Sequence, residues 1–397
     1  MLMVPVESLR PGMKLARPVL HPDRTDLLLL GEGYVLDRTT IDAMNAHGVS
    51  FTWISFPGLE EIDHGGSDRV AKGHIALYQA LNQSIDALEQ RVMVNLNVQH
   101  YKRAVHHMLA QIVDCPEHDP VTHQLMMCGP RLTGHMANCS YLALLVGAHL
   151  GGYLRNQRRA LPADVAENTA QLGLGALLHD IGKINMPDDV REVCILDPDA
   201  SSKGYRLHVA AGYQEVHEYV STVAANVVLN HHQRYDGKGF PGIDRGGGAQ
   251  PLEGSRIHVF SRITAAVDVF DHLLCPKGKP LPTLVAIHRL RDQRFAGWFD
   301  PVVVDALLRV VPSFMLGQRV RLSDGHEAVV LATHQDSPCR PTVKILSGEA
   351  EKPGSKATGR PIDLRMAPKV EIVEVEGVDV RPYLFKSDFE DTDAVAA

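Results

Sequence analysis

The spacing of apolar residues divides the chain into three regions with different periods. From about residue 66 to residue 311, apolar side chains recur with the 3.6-residue period of amphipathic and buried helices. Residues 1–64 combine short alternating runs with one helical run, and a period of two prevails after residue 312. The pattern predicts a multidomain chain with a small N-terminal α/β module at 1–64, a central all-α domain at 66–311 and a small β domain at 312–380.

The central region carries several helical runs. The run 168–184 is apolar on nearly every face, which indicates a buried helix. The run 69–114 is long enough for one helix or two, and it would serve equally as the seam of a homodimer or as a helix packed on its own domain. Further helices are predicted at 134–154, 215–237, 262–274, 283–293 and 299–311.

The two ends of the chain show strand and turn signals. In the N-terminal module, a short helix after residue 40 is stopped by Gly48, and a strand of bulky residues follows it. In the C-terminal region, Asp324 and Gly325 form a predicted turn between two alternating strands, with further strands at 340–347 and 369–377. The acidic end, 381–397, is predicted to be disordered.

Composition narrows the class of protein. The 397 residues carry a formal net charge of -7, so the chain has no general basic field for DNA or RNA. No signal-peptide pattern opens the chain, and no apolar run approaches the ~20 residues of a membrane span. The six cysteines include no CxxC pair, which is typical of reduced thiols in the cytoplasm. We therefore expect a cytoplasmic protein that has neither a nucleic-acid polymer as partner nor a membrane span.

The candidate chemistry lies in the helical region. Its apolar run 177–187 contains a histidine, an aspartate and a lysine, and burying such charges without compensation is costly. Compatible ligands recur on separate helices, and imidazole with carboxylate suits Fe, Mn, Zn or Ni better than Ca or Mg. Seven ligands exceed one tetrahedral centre and suit two divalent ions. They are His135, His179, Asp180, His208, His231, His232 and Asp268.

Any one of these histidines alone is more often an ordinary hydrogen-bonded residue than a ligand. The order of the motifs is more specific than any single histidine. "ALLHDIGK", "HVAAG", "HHQRYDGKGFPG" and "SRITAAVDVFD" follow one another within residues 125–310. In this order they resemble the HD-GYP family, a subgroup of the HD metal-dependent phosphohydrolases. The segment "LRPGMKLARPV" resembles a domain of unknown function often found before HD-GYP domains.

The resemblance implies an HD-type helical fold in a bacterial signalling protein and hydrolysis of cyclic di-GMP to pGpG, to GMP, or to both. Two divalent ions, usually iron or manganese, would be the cofactors. Asp180 would bridge them, and a hydroxide held between the ions would attack phosphorus. One ion would take His135, His179 and Asp268; the other would take His208, His231 and His232.

Four residues are candidates for the substrate side of the reaction. Lys183 would place its charge on a phosphate oxygen, with a structural salt bridge as the alternative. Gly237 and Gly239 would let backbone amides approach a ligand, or would simply form the turn that positions the two adjacent histidines. Lys277 or Lys279 would replace the basic residues of the family's TSDRPYR segment, for which this chain has "LLCPKGKP".

Three further departures from the family pattern bear on function. Arg131 stands where some members carry a glutamate that helps to hold a third metal, so two metals are expected. Gln233 replaces the glutamate of HHE, and Phe240 replaces the tyrosine of GYP. The alternatives to a cyclic di-GMP phosphodiesterase are therefore a metal- and nucleotide-binding signalling module with little or no turnover, and a phosphohydrolase of another nucleotide.

Overall fold

The computed structural model describes residues 1–21, 27–49, 51–59, 73–81, 98–114, 132–184, 186–191, 193–244, 248–276, 279–347 and 356–385. Within them the predicted fold class is confirmed. The centre of the chain is helical, the N-terminal region contains short strands and a helix, and the C-terminal region is built on a six-stranded sheet.

The N-terminal region contains two small antiparallel pairs and one helix. Strand β1 (Leu2–Pro5) pairs with β4 (Phe51–Ile54), and β2 (Val19–Leu20) pairs with β3 (Leu28–Leu30). Helix α1 (Arg38–Ala46) begins at a capping box, in which the Asp37 carboxylate accepts from the backbone N–H of Thr40. It ends before Gly48, whose φ of 75° is the left-handed conformation that the predicted stop requires.

The helices of the central region surround an apolar core. Helices α4 (Leu132–His149), α7 (Ala170–Leu178) and α12 (Val259–Leu274) lie at its centre. Helix α4 packs against both of the others, and α11 (Thr222–Asn230) covers α7. The helices of this region, in chain order, are α2 (73–81), α3 (Val98–Asp114), α4 (Leu132–His149), α5 (Gly151–Gln157), α6 (Ala163–Glu167), α7 (Ala170–Leu178), α8 (Asp188–Arg191), α9 (Lys203–Arg206), α10 (His208–Val216), α11 (Thr222–Asn230), α12 (Val259–Leu274), α13 (Thr283–Leu290) and α14 (Pro301–Val310).

Two predicted helices end differently from the sequence expectation. The run 215–237 is divided between α10 and α11, because the hydroxyl of Ser221 caps a new helix by accepting from the N–H of Ala224. The run 168–184 leaves the α-helix at Leu178 and continues as a 3-10 turn, Ile181–Lys183. The His-Asp pair is therefore placed at a helix terminus rather than in its middle.

The C-terminal region is an antiparallel sheet of six strands. Their order in the sheet is β10 (Lys356–Asp363), β9 (Thr342–Ser347), β8 (Glu327–Ala332), β7 (Arg319–Leu322), β11 (Ile372–Val375) and β12 (Val378–Asp379). The predicted hairpin at Asp324 and Gly325 joins β7 to β8, and Gly325 has a φ of 91°. A further antiparallel pair, β5 (Ile243–Asp244) with β6 (Ala249–Gln250), belongs to the helical region.

The two ends of the chain pack against each other, which the sequence pattern does not predict. The N–H of Ala357 donates to the carbonyl of Pro57 at 2.9 Å, and the N–H of Met3 donates to the carbonyl of Gly317 at 3.1 Å. Val329, Leu346 and Ala357 of the sheet share one apolar core with the N-terminal strands and helix α1.

Several predictions fall wholly or partly outside the described residues. Residues 60–72 include the predicted boundary between the N-terminal module and the helical domain, and residues 82–97 belong to the predicted helical run 69–114; both segments lie outside the described residues. The described chain continues through a 3-10 turn at Arg381–Tyr383, and Phe385 packs against the apolar cores; residues 386–397 lie outside. None of the described helices combines the length and the apolar character needed to cross a bilayer.

Candidate metal centre

The seven predicted ligands meet in one buried place. Four of them lie at or just after the C-terminal ends of α7 and α11, one opens α10, and two come from the inner faces of α4 and α12. Their relative exposures run from 0% to 7%. Residues from five helices, separated by up to 133 positions in the chain, thus line one small space.

The first group of donors surrounds the ring of His135. Its Nε2 lies 3.2 Å from Nε2 of His179 and 3.2 Å from Oδ1 of Asp268. Two ligands of one ion with bonds of about 2.1 Å lie roughly 3.4 Å apart in tetrahedral geometry, so these separations suit a shared ion.

The second group of donors lies on the other side of Asp180. Nε2 of His208 is 3.4 Å from Nε2 of His231, and Asp180 Oδ1 lies 3.3 Å and 3.7 Å from these two nitrogens. His232 completes this group, in which one donor atom of each residue lies within 4.8 Å of the others.

Asp180 divides its two oxygens between the groups. Oδ1 faces the second group, whereas Oδ2 lies 3.6 Å from Nε2 of His179 and 3.9 Å from Nε2 of His135. One carboxylate that presents one oxygen to each of two donor groups has the arrangement of a bridging ligand.

The rings are fixed by hydrogen bonds at their outer nitrogens. The Nδ1 atoms of His179, His208 and His231 lie 2.8, 2.5 and 2.8 Å from backbone carbonyls three residues earlier. Carbonyl oxygens only accept, so each Nδ1 carries the proton and each Nε2 has a free lone pair. The helical turns that precede these residues thereby point all three lone pairs inward.

The residues present fit a binuclear metal site. Among the described residues, no side chain or backbone group donates a hydrogen bond to Oδ1 of Asp180 or Oδ2 of Asp268, although both atoms are buried. Buried carboxylate oxygens are costly without a partner. Neutral imidazoles with carboxylates are the donor set that Fe, Mn, Zn and Ni accept. The identity of the metal stays a prediction.

Burial and charge set the protonation of these side chains. Desolvation lowers the pKa of His179 to about 4 and that of His208 to about 3, so both rings are neutral at pH 7. Burial alone would raise the pKa of Asp180, but the charge of Lys183 and the nearby imidazoles hold it well below its usual range. His179, His208 and Asp180 are thus in the form that binds a cation, whereas the interactions of His135 with Cys139, Asp268 and Asp271 outweigh burial and raise its pKa well above the usual value.

Lys183 is buried and contacts Asp180. Its Nζ lies 2.7 Å from Asp180 Oδ2, 3.3 Å from the carbonyl of Val193 and 5.1 Å from the ring centre of Tyr205. The side chain therefore faces the centre, and it makes the ion pair that was the alternative to a phosphate contact. Both roles stay predictions, because one ammonium can serve the carboxylate and a phosphate in turn.

Sequence reasoning missed the residues that support the first group. The Asp271 carboxylate lies 2.7 Å from Nδ1 of His135 and accepts from Nδ2 of Asn138 at 2.9 Å. Asn138 Oδ1 in turn lies 3.0 Å from Nε2 of His74 on α2. His272 stacks on His135 with ring centres 4.2 Å apart. The available signal was spacing, since Asp271 and His272 lie three and four positions after Asp268 on one helix.

Cys139 is also placed beside this group. It lies one turn after His135 on α4, is fully buried, and its Sγ is 3.8 Å from both nitrogens of the His135 ring. Burial raises the pKa of its thiol to about 12.

The glycine-rich loop after α11 folds back on the histidines. The N–H of Phe240 donates to the carbonyl of His232 at 3.1 Å, and a Cβ on Gly239 would lie 2.4 Å from the same oxygen. Gln233 Nε2 donates to the carbonyl of Pro241 at 2.8 Å, and its Oε1 accepts from the N–H of Leu252. A glutamate could not make the first of these bonds when ionised.

A cavity of about 200 Å³ opens beside the second group. Gly239 lines it, whereas Gly237 packs against Glu253 instead. Lys277, the remaining predicted substrate contact, lies outside the described residues, as does Arg131. Phe240, which replaces the tyrosine of GYP, also lines the cavity, together with positive and aromatic side chains that the sequence analysis missed: Arg206, Arg234, Lys238 and Trp298.

Comparisons with protein families agree with this architecture. Residues 145–303 match the HD domain family, and residues 319–378 match the KOW domain associated with HD domain. The first match runs from the end of α4 to the start of α14 and contains six of the seven predicted ligands. The second covers most of the C-terminal sheet.

Several curated relatives match part of the chain. The cyclic di-GMP phosphodiesterase PA4108 of Pseudomonas aeruginosa is 33% identical over 188 residues, which are 46% of this chain and 42% of that protein. The cyclic di-GMP phosphodiesterase response regulator RpfG of Xanthomonas campestris pv. campestris is 28% identical over 243 residues, or 58% and 54% of the two chains. The 3'3'-cGAMP-specific phosphodiesterase 1 of Vibrio cholerae is 28% identical over 151 residues, 35% of this chain and 31% of its own.

The chain thus spans about half the length of the first curated relatives that it matches. Among solved structures, Bd1817, a HDG"Y"P protein from Bdellovibrio bacteriovorus, is 15% identical with a TM-score of 0.43, covering 77% of this chain and 97% of that one. The resemblance to HD proteins drawn from the motifs is confirmed: the helical region of this chain carries an HD domain, and a KOW domain associated with HD domain follows it.

Proposed function

We propose that this protein is a metal-dependent phosphodiesterase that hydrolyses a cyclic dinucleotide, with cyclic di-GMP as the first candidate substrate. The observation that carries the proposal is the division of the two Asp180 oxygens between two buried groups of donors. The activities of the relatives support the same reaction class, since PA4108 and RpfG are cyclic di-GMP phosphodiesterases.

Each part of the centre has a separate task in this proposal. His135, His179 and Asp268 would hold one ion, and His208, His231 and His232 the other, with Asp180 shared. When bound, the ions would supply Lewis acidity and lower the pKa of a water molecule that serves as nucleophile. Lys183 would place its ammonium against a phosphate oxygen as negative charge develops there.

The cavity beside His231 and His232 is the proposed place for part of the nucleotide. The whole chain carries a formal charge of -7, so attraction of an anionic substrate has to be local. Arg206 lies 5.2 Å over the ring of Phe240 at this cavity and forms no ion pair with the described carboxylates. It can therefore offer its guanidinium to a base edge or a phosphate.

Turnover by the metal-loaded protein tests the proposal. The full chain would be stripped with a chelator, loaded anaerobically with Fe(II) or Mn(II), and incubated separately with cyclic di-GMP and 3'3'-cGAMP. We expect pGpG or GMP from cyclic di-GMP, and none from a His179→Ala/Asp180→Ala double variant.

Metal analysis of the same samples makes each outcome interpretable. Two ions per chain with no cleavage of either dinucleotide would contradict the catalytic proposal. If such a metal-loaded chain bound cyclic di-GMP without cleaving it, the signalling-module alternative would be favoured. The replaced TSDRPYR segment and Gln233 support that alternative. Absence of bound metal in the wild-type chain would contradict the metal centre itself.

A further inference from the structure

We propose that Cys139 is a thiolate ligand of the ion held by His135, His179 and Asp268, which makes that half of the centre a mixed nitrogen, oxygen and sulfur site. The inference rests on the metal centre proposed above, and only on its capacity to bind ions. It does not depend on which phosphoester is the substrate.

The position of Cys139 on its helix places it at this ion. His135 and Cys139 are four residues apart on α4, and side chains at this spacing share one face of a helix. The same i, i+4 spacing lets two histidines of a helical HExxH motif bind one zinc ion. The sequence "HMANC" therefore presents a bidentate pair toward the space between α4, α7 and α12.

The distances agree with a common ion. Sγ of Cys139 lies 3.8 Å from Nε2 of His135, and the donor atoms of Cys139, His135, His179 and Asp268 all lie within 4.8 Å of one another. Bonds of about 2.3 Å to sulfur and 2.0–2.1 Å to nitrogen place two tetrahedral ligands roughly 3.6 Å apart. The separation of Sγ from Nε2 of His135 is thus close to that of two ligands of one ion.

A second feature, besides the distances between the donor atoms, points to a cation at Asp268. Oδ2 of Asp268 is buried and accepts no hydrogen bond from the described residues, although Asp268 belongs to the same donor group as Cys139. Nδ1 of His232 lies 3.7 Å from this oxygen, and Oδ1 of the same carboxylate lies 3.2 Å from Nε2 of His135, so a cation at Asp268 would compensate the buried charge. Of the four cysteines that the structure describes, Cys139 is the fully buried one and the one placed in a donor group.

Binding by sulfur has a defined chemical consequence. On coordination the thiol releases its proton to solvent, and the sulfur donates an electron pair to the ion. Thiolate ligands favour zinc and other softer ions, whereas carboxylate and water ligands suit manganese. The site with Cys139 should therefore discriminate against Mn(II) more strongly than a site built from imidazole and carboxylate alone.

Cobalt substitution tests the ligand directly. The full chain would be stripped of metal and titrated with Co(II) in anaerobic, thiol-free buffer, in wild type, Cys139→Ser and Cys139→Ala. Cys339→Ser is the matched control, because Cys339 packs against the apolar core of the C-terminal sheet, away from the donor groups. We expect an intense near-ultraviolet sulfur-to-cobalt charge-transfer band in wild type and in the control, and its loss in both Cys139 variants.

X-ray absorption on zinc-loaded wild-type protein avoids any dependence on folding of the variants. With two zinc ions per chain, a sulfur scatterer at about 2.3 Å is expected from one of them. Two bound ions with no sulfur scatterer and no charge-transfer band would overturn the assignment of Cys139 while leaving the binuclear centre intact. Failure of the wild-type chain to bind either ion would overturn both proposals.

Discussion

At the scale of single residues, the orientation of His135 depends on a carboxylate outside the predicted ligand set. Asp271 accepts from Nδ1 of His135 at 2.7 Å and so directs Nε2 toward the ion. Asp271→Asn removes the negative charge and should weaken metal binding by about 10–100-fold. Competition against a coloured chelator measures the metal affinity. Asp305→Asn is the control, because Asp305 is half exposed and pairs with Arg309. Unchanged affinity in Asp271→Asn would refute the positioning role.

Lys183 allows the two predicted roles to be separated. Lys183→Met keeps the unbranched side chain to within one atom of its length and removes the ammonium 2.7 Å from Asp180. If Lys183 contacts the phosphate, turnover by the metal-loaded variant should fall by roughly 10²–10³-fold with two ions still bound. If the ion pair is its whole role, turnover should stay unchanged and only the chelator-treated variant should lose stability, by roughly 3–5 kcal/mol. Turnover together with denaturation of metal-free protein distinguishes the two.

At the scale of elements, the 3-10 turn after His179 and Asp180 packs closely against α10 at Gly182. A Cβ on Gly182 would lie 2.1 Å from the carbonyl oxygen of His208 and 2.5 Å from the nitrogen of Gly212. Gly182→Ala must therefore push α10 away and separate His208 from Asp180. We expect bound metal to fall from about two ions per chain toward one, with a loss of stability of about 1–3 kcal/mol or more.

Elemental analysis and urea denaturation check this expectation. Gly204→Ala is a suitable control, because a Cβ on Gly204 would have its nearest neighbour, Cγ2 of Val190, at 3.8 Å. If Gly182→Ala bound two ions with wild-type stability, the close packing of the turn on α10 would not be what positions His208.

The same scale shows what the sequence could predict. Periodicity predicted the helices that carry the ligands, because a helix is encoded by the local spacing of apolar residues. The order of the motifs selected seven residues that the fold brings together, because that order resembles a known family. The break between α10 and α11 depends on one capping hydroxyl, Ser221, within an otherwise helical run. Cys139 and Asp271 could have been suspected from their spacing to His135 and Asp268. Their distances, however, depend on how α4 packs against α12.

At the scale of the whole molecule, the contacts between distant segments could not be predicted from the sequence. The N-terminal strands share a core with β8, β9 and β10, more than 270 residues later. A Cβ on Gly58 would lie 2.5 Å from the carbonyl oxygen of Ala357, so a glycine is required where the two regions meet. Alternation predicts which face of a strand is buried, but it does not specify which partner covers that face.

Stability of the whole metal-free chain should fall in mild acid. Burial lowers the pKa of His74 and His258 to about 4, and that of His179 and His272 to the same value. In the unfolded chain these rings take up protons near pH 6.5. The stability that they contribute as neutral groups is thus complete above about pH 6.5 and is lost as the pH falls toward 4. His135, whose pKa is raised well above normal, has the opposite sign and loses its contribution above pH 6.5.

Urea denaturation at pH 7.5, 6 and 5 tests the sign, since each such group contributes at most about 1.4 kcal/mol per pH unit. His258→Asn is the informative variant, because His258 caps α12 by accepting from the N–H of Phe260 and asparagine can keep that bond without titrating. We expect the variant to lose less stability than wild type between pH 7.5 and pH 5. Bound metal should steepen the decline, because protons then compete with the ions for the imidazoles of the centre. Equal slopes in the metal-free wild type and His258→Asn would show that burial of this histidine does not govern the acid sensitivity.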